Sequence, residues 1–165
     1  VKSSDVFLGV LPQFHSFGLT GSTLVPLVFG CKTIYSARFM PKKLVELIQT
    51  HRPSICMAIP SMYNALLTVK SASKEDFKSF RLLASGGEPL PENVRDRFAE
   101  RFEQPIVEGY GLTETSPVTN VLGAGCARVI PAHCRSIDRK NITAFNRWRT
   151  PIERSQCNEG ISRTR

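Results

Sequence analysis

The chain has 165 residues, 41% of them apolar and 22% charged, with a formal net charge of +8. That length and apolar content suit one globular domain, and the most apolar run, Leu24 to Cys31, is broken by Pro26 and Gly30 and falls far short of the ~20 residues a membrane helix needs. The charge is uneven: through Val121 there are 13 Lys/Arg against 11 Asp/Glu, and from Leu122 onward 9 against 3, so an attraction to nucleic acid or anionic membrane would belong to the last stretch and leave the first 121 residues unexplained.

In chain order, Asp5 to Leu11 is rich in Val, Phe and Leu and reads as a strand that stops at Pro12. Leu19 to Phe29 is apolar nearly all round and predicts a buried helix, interrupted or kinked at Pro26. Within it Thr20-Gly21-Ser22-Thr23 mimics a phosphate loop, but no lysine follows at the right place and an apolar helix surrounds it, so it reads as structural. Lys32 to Tyr35 is a short strand. Pro41 suits the first position of a helix, with Leu44, Leu47, Ile48 and His51 on one face. Ser54 to Ile59 is a strand, and Pro60 to Val69 a helix with Met62, Ala65, Leu66 and Val69 inside. Ser71 to Lys78 is polar and reads as a surface connection. Arg81 to Ala84 is a strand running into a Gly86-Gly87 turn. Pro91 and Glu92 open a helix whose core stripe is Val94, Phe98 and Phe102, and Pro105 to Val107 is the next strand.

Alternating strands and helices predict an α/β fold, a parallel sheet with flanking helices joined by right-handed crossovers. Ligands then belong outside the carboxyl ends of the strands. After about Val121 no period of 2 or 3.6 persists, and the expected division is residues 1–121 as the folded part and 122–165 as a basic, irregular tail. A reading frame disrupted near residue 122 is one account of the tail and a natural disordered extension is the other.

The five cysteines, at positions 31, 56, 126, 134 and 157, show no zinc spacing. Their odd number, with no secretory signal at the start, points to free thiols, a reducing compartment and a soluble cytoplasmic protein. Asn141-Ile142-Thr143 is a glycosylation sequon and reads as chance in that setting.

The stretch that carries chemistry is Glu108-Gly109-Tyr110-Gly111-Leu112-Thr113-Glu114-Thr115. Its glycines let backbone approach a ligand or take positive φ. Tyr110 offers a flat face with a polar tip. Thr113 and Glu114 supply the hard oxygens that Mg²⁺ and phosphates favour. A tight turn would use the same residues.

Gly109-Tyr110-Gly111-Leu112-Thr113-Glu114-Thr115 resembles the signature of the AMP-forming adenylating enzymes, which include acyl-CoA synthetases, luciferases and peptide-synthetase adenylation domains. Leu11-Pro12-Gln13-Phe14-His15-Ser16-Phe17-Gly18 resembles their upstream histidine motif, and Ser85-Gly86-Gly87-Glu88-Pro89-Leu90 their glycine-pair motif. The wording is most similar to a long-chain fatty acyl-CoA or acyl-carrier-protein synthetase. The resemblance implies a central part of the large amino-terminal domain of an ATP-dependent, acyl-activating ligase. Such an enzyme joins a carboxylate to ATP, releases pyrophosphate and passes the acyl group to a thiol. Its implied cofactors are ATP, Mg²⁺ and CoA, and its implied partners a fatty acid and CoA or acyl carrier protein, with peripheral membrane association and without nucleic acid.

The resemblance also implies roles. Tyr110 would lie on the adenine face; Gly86, Gly87 and Glu88 would bring close backbone to the adenine and acyl pocket; Gly109 and Gly111 would frame the tyrosine. Thr113 would bond the α-phosphate, Glu114 would hold the metal, and His15 would stand beside the acyl carboxylate or gate the acyl channel. For His15 the plainer alternative is a structural histidine, and for Gly86-Gly87 a simple turn. The family's lysine-bearing phosphate loop, its ribose-binding aspartate and its mobile domain with a catalytic lysine find no match in these 165 residues, so the polypeptide alone is expected to be inactive or nearly so. The alternative from another class is a non-catalytic module whose basic tail meets nucleic acid or anionic lipid.

Overall fold

The computed structural model describes residues 1–121; the basic stretch 122–165, with its expected irregular tail and sequon, lies outside the described residues. Six strands form one sheet in the order β2-β1-β3-β4-β5-β6: β1 (Val6–Gly9), β2 (Lys32–Tyr35), β3 (Ile55–Ala58), β4 (Leu82–Ser85), β5 (Ile106–Tyr110) and β6 (Asn120–Val121). The first five are parallel, and β6 runs antiparallel to β5. From β1 the chain goes outward to β2, then returns past β1 to β3 and continues through β4 to β5. The direction therefore reverses between the neighbours β1 and β3, the place beyond whose carboxyl ends α/β sheets of this kind bind ligands.

Register sets Leu8, Cys56, Leu83 and Ile106 side by side across four strands. All four are buried and join Leu44, Ile48, Tyr63, Phe77, Phe98 and Phe102 in one core. The helices over this face are α3 (Pro41–His51), α4 (Pro60–Leu66), α5 (Lys74–Phe77) and α6 (Glu92–Phe102). Phe98 meets Tyr63 and Phe77 edge-on, at centroid distances of 5.3 and 5.5 Å, and Phe77 stacks on Phe102 at 4.1 Å. Edge-on and offset pairs of this kind add to simple burial. The Cys56 thiol sits in this apolar layer, and burial pushes it up to about 12, so it is an inert core cysteine.

The opposite face is covered near β1 and β3 by one continuous helical stretch: α1 (Ser16–Leu19), a π turn (Thr20–Leu24) and α2 (Val25–Phe29). Gly21 allows the close approach, since a Cβ there would lie 2.6 Å from Met57 Sδ. The Ser22 carbonyl in the π turn accepts from the Tyr35 hydroxyl at 2.9 Å, which ties the stretch to β2. The expectation of a buried helix is corrected here. Phe17, Gly18, Gly21, Ser22 and Pro26 face inward, whereas Leu27 and Val28 are 74% and 79% exposed. Beyond Phe17 and Pro26 the packed positions are the small Gly18, Gly21 and Ser22, because a glycine-lined face can come this close to the sheet. The would-be phosphate loop Thr20-Gly21-Ser22-Thr23 is helical, as its surroundings indicated.

Other differences are local. Residues 71–78 are not a plain connection: Ser73 and Asp76 form a capping box that starts α5 and plants Phe77 in the core. The Ser-x-x-Asp spacing that signals this is legible in the sequence. On α3 the buried face is Leu44, Val45 and Ile48, with His51 exposed at its end. On α4 the deepest residue is Tyr63, whose hydroxyl donates to the Ala84 carbonyl at 2.9 Å. At the amino ends of the strands the buried Asp5 carboxylate accepts from Arg81 Nε at 2.7 Å, from Arg81 Nη2, and from the Ser54 hydroxyl at 2.9 Å. Among the described residues no helix is long and apolar enough to cross a membrane.

Candidate functional site

The loop after β1 carries the histidine motif. A Cβ on Gly18 would fall 2.1 Å from the Pro12 carbonyl oxygen, so only glycine lets the chain fold from β1 back into α1. His15 caps that helix: its Nδ1 accepts from the Phe17 amide at 3.2 Å. With Nδ1 taken by that bond, Nε2 is the ring nitrogen left to meet a ligand. His15 therefore has a structural bond through one nitrogen, and its exposed side chain keeps the other for a ligand. Phe14 beside it is 94% exposed.

The loop after β4 carries the glycine pair. Gly86 is buried and its amide donates to the Ala58 carbonyl at 3.3 Å. Gly87 has φ +85, a left-handed conformation that glycine adopts without strain. Glu88 and Pro89 are exposed, and Leu90 returns to the core.

The signature differs from its sequence reading in one respect. The strand does not end at Val107 but runs to Tyr110, because β6 supplies an antiparallel partner at Gly109 and Tyr110. Tyr110 sits at the strand end, 50% exposed. Its carbonyl is held by both the amide and the hydroxyl of Thr119, each at 3.0 Å. Gly111 is a close-approach glycine, since a Cβ there would overlap the Pro117 carbonyl at 1.6 Å. Thr113, Glu114 and Thr115 form one 3₁₀ turn. The Thr115 hydroxyl closes it by accepting from the Leu112 amide at 3.0 Å, and Thr113 and Glu114 stay exposed.

The three motifs meet. A Cβ built on Gly86 would lie 3.2 Å from Phe17 Cε1 and 3.4 Å from the Gly109 carbonyl oxygen, so the glycine pair is held between the first motif and the third. The Ser16 hydroxyl donates to Thr113 Oγ1 at 3.4 Å, spanning 97 positions of sequence. Phe17, Ser16 and Glu108 are the residues that motif reading left without a role; Phe17 and Ser16 lay inside the first motif, and only their contacts reveal what they do. Two carboxylates, Glu88 and Glu114, a hydroxyl, an imidazole nitrogen and an aromatic face thus stand on loops at one edge of the sheet. Among the described residues no cluster of three or more side chains could hold a metal alone. Any Mg²⁺ here would lean on Glu114 and on oxygens of its own ligand, the usual habit of that ion at phosphate sites. A hollow lined by Leu67, Arg97, Glu100 and Arg101 lies at the other edge, where α4 and α6 end. Arg101 there is committed to the Leu67, Val69 and Ala72 carbonyls.

A family model described as AMP-binding enzyme matches residues 1–140. The chain belongs to the AMP-binding enzyme family. Among its relatives in that family, a probable 4-coumarate–CoA ligase 1 of Dictyostelium discoideum is 34% identical over 131 residues, 77% of this chain and 23% of that protein. A long-chain-fatty-acid–CoA ligase of Bacillus subtilis is 32% identical over 119 residues, 72% of this chain and 21% of that protein. The crystal structure of ATP-bound MatB from Rhodopseudomonas palustris superposes with a TM-score of 0.72 at 28% identity, covering 78% of this chain and 25% of that one. The chain therefore spans about a quarter of the length of the AMP-binding relatives it matches. The parallel sheet with flanking helices is the fold these family members share with it.

Proposed function

We propose that this edge of the sheet is the adenylate-binding wall of an ATP-dependent acyl-activating ligase. Such an enzyme converts a carboxylate and ATP to acyl-AMP and pyrophosphate, then transfers the acyl group to the thiol of CoA or a carrier protein. The observation that carries the reading is the junction at Gly86, packed between Phe17 and the Gly109 carbonyl. It brings three loops far apart in sequence to one place, with Tyr110, Thr113 and Glu114 alongside. The exposed Tyr110 face suits adenine, and the left-handed Gly87 lets backbone come close to it. The Thr113 hydroxyl suits an α-phosphate oxygen. Glu114 offers the single carboxylate that a phosphate-bound Mg²⁺ needs, and Mg²⁺ would supply charge neutralisation at the phosphates. His15 would meet the acyl carboxylate through Nε2 and orient it for in-line attack, the kind of positioning on which phosphoryl chemistry depends.

The acid is proposed to be a fatty acid on the wording of the first two motifs. That the relatives include both a coumarate and a long-chain-fatty-acid ligase makes a panel of acids the natural comparison. Among the described residues Thr113 and Glu114 have no lysine or arginine hydrogen-bonded beside them to meet phosphate charge, and the loss of one preorganised donor costs roughly 10²–10³ in rate. The 165-residue polypeptide is accordingly proposed to bind nucleotide without appreciable turnover. Titration with AMP, with and without Mg²⁺, followed by NMR, tests both parts. Shifts should gather at Tyr110, Gly86 and Gly87 with AMP and extend to Glu114 only with Mg²⁺. Shifts confined to the Arg101 hollow, or none, would overturn the assignment of the edge. Robust ATP–pyrophosphate exchange with fatty acids would overturn the proposed lack of turnover.

A further inference from the structure

Glu108 precedes the signature glycine but does not share the exposure of Thr113 and Glu114. It is half-buried, and its Oε1 accepts a hydrogen bond from the Leu90 amide at 3.0 Å. The place of that bond in the fold is what gives it meaning. The β4–β5 ladder runs Leu83 to Ile106, Ala84 to Val107 and Ser85 to Glu108, and there it ends. Beyond it β4 leaves the sheet as the Gly86–Leu90 loop, whose first amide turns away to the Ala58 carbonyl of β3. Nothing in the backbone then holds the far end of this loop to β5. The Glu108 side chain does, five residues further along the loop than its own register partner, Ser85.

Leu90 is only 7% exposed, and a shielded N–H that loses its partner is costly. Two residues beyond Glu108, the chain reaches Tyr110. The carboxylate thus joins the far end of the glycine-pair loop to the strand that ends at Tyr110.

We propose that Glu108 is a positioning residue: its carboxylate acts as an acceptor that clamps the Gly86–Leu90 loop to β5 and so sets the width of the gap between Gly87 and Tyr110. This deepens the adenylate reading and rests on it for the ligand, but not for the clamp. What matters is an acceptor oxygen at the right reach; the negative charge is incidental. Glu108→Gln keeps an oxygen at that reach, Glu108→Asp keeps the charge and loses one methylene of reach, and Glu108→Ala loses both.

The test uses the full chain and two readouts, amide hydrogen exchange at Leu90 and AMP affinity from the NMR titration. Exchange at Leu90 should stay within about threefold of wild type in Glu108→Gln and speed up by about tenfold or more in Glu108→Asp and Glu108→Ala, the scale of one lost hydrogen bond. AMP affinity should follow the same order: unchanged in Glu108→Gln and about tenfold weaker in the other two. If Glu108→Ala does not fold, Glu108→Asp carries the comparison. Unchanged Leu90 exchange in Glu108→Asp would overturn the clamp. Equal loss of AMP affinity in Glu108→Gln and Glu108→Asp, with Leu90 protected in the former, would also overturn it and make the charge the active feature. A wild-type chain that binds no AMP while Leu90 exchange follows the stated order would sink the adenylate reading and leave the clamp standing.

Discussion

The junction at Gly86 can be interrogated without any ligand. Gly86 is not among the glycines with positive φ, so alanine there meets no backbone penalty and its whole cost comes from contacts. Those are Phe17 Cε1 at 3.2 Å, Phe17 Cζ at 3.3 Å and the Gly109 carbonyl oxygen at 3.4 Å. Each is tight without being a hard overlap, and the ring can yield where β5 cannot. Gly86→Ala should therefore cost about 1 kcal/mol, the low end of what one extra methyl costs in a packed site. Phe17→Leu keeps a large apolar group and should cost a similar amount, about 1 kcal/mol. The double variant is the informative one. Leucine removes the ring edge that the new methyl would strike, so the pair should be less destabilised than the two singles added together, by about 0.5 kcal/mol or more. Urea unfolding of the full chain and the three variants gives all four stabilities. Energies that add to within about 0.3 kcal/mol would show that Phe17 and Gly86 are independent, and the first and second motifs would then not be in contact.

Three further outcomes are expected. The Arg81 guanidinium, aided by the Lys2 amide and the Ser54 hydroxyl, outweighs burial and holds the Asp5 carboxyl well below the usual carboxylate range. Its stabilising effect is full above the unfolded-state value of about 3.9 and is lost as pH falls below it. Wild type should thus exceed Asp5→Asn by about 2 kcal/mol at pH 7, a buried-pair figure reduced for the half-exposed arginine, and the gap in urea unfolding should shrink toward pH 2. Gly111→Ala would place a methyl on the Pro117 carbonyl, so it should disrupt the Thr113–Thr115 turn while the core stays intact; AMP affinity should fall by about tenfold or more with little change in far-UV circular dichroism, by analogy with a lost positioning contact. Tyr63→Phe removes the donor to Ala84 and leaves the aromatic layer, which should cost about 1 kcal/mol by thermal melting.

Much of the architecture was legible because its cues are local. Strand and helix alternated with their own periods, the Phe98 and Phe102 stripe of α6 sits in the core as spaced, and the motifs fall at the carboxyl ends of β1, β4 and β5. What escaped depended on partners. Leu24, Leu27 and Val28 looked like core because nothing in their own sequence reveals that the sheet accepts only Gly21 and Ser22 at that distance. Tyr110 read as loop because its strand pairing comes from Asn120, ten residues later. His15 could be recognised as belonging to a motif, but that its Nδ1 is spent on the Phe17 amide is a matter of geometry. Glu108 stood in plain view in the signature, yet its bond to Leu90 spans 18 residues and leaves no pattern in composition or spacing. By contrast, the Ser73–Asp76 cap had a readable spacing and was passed over because the stretch around it is polar.

The cluster at the amino ends of the strands has a mechanical meaning for the opposite edge. Asp5 precedes β1, Ser54 precedes β3 and Arg81 precedes β4, so one carboxylate rivets three strands together at their roots. That fastening lies at the end of the sheet opposite the three motif loops. If the motif loops hold adenylate as proposed, Asp5→Asn should weaken AMP binding from a whole strand's length away, and an unchanged affinity would show that the roots and the tips of the strands act independently.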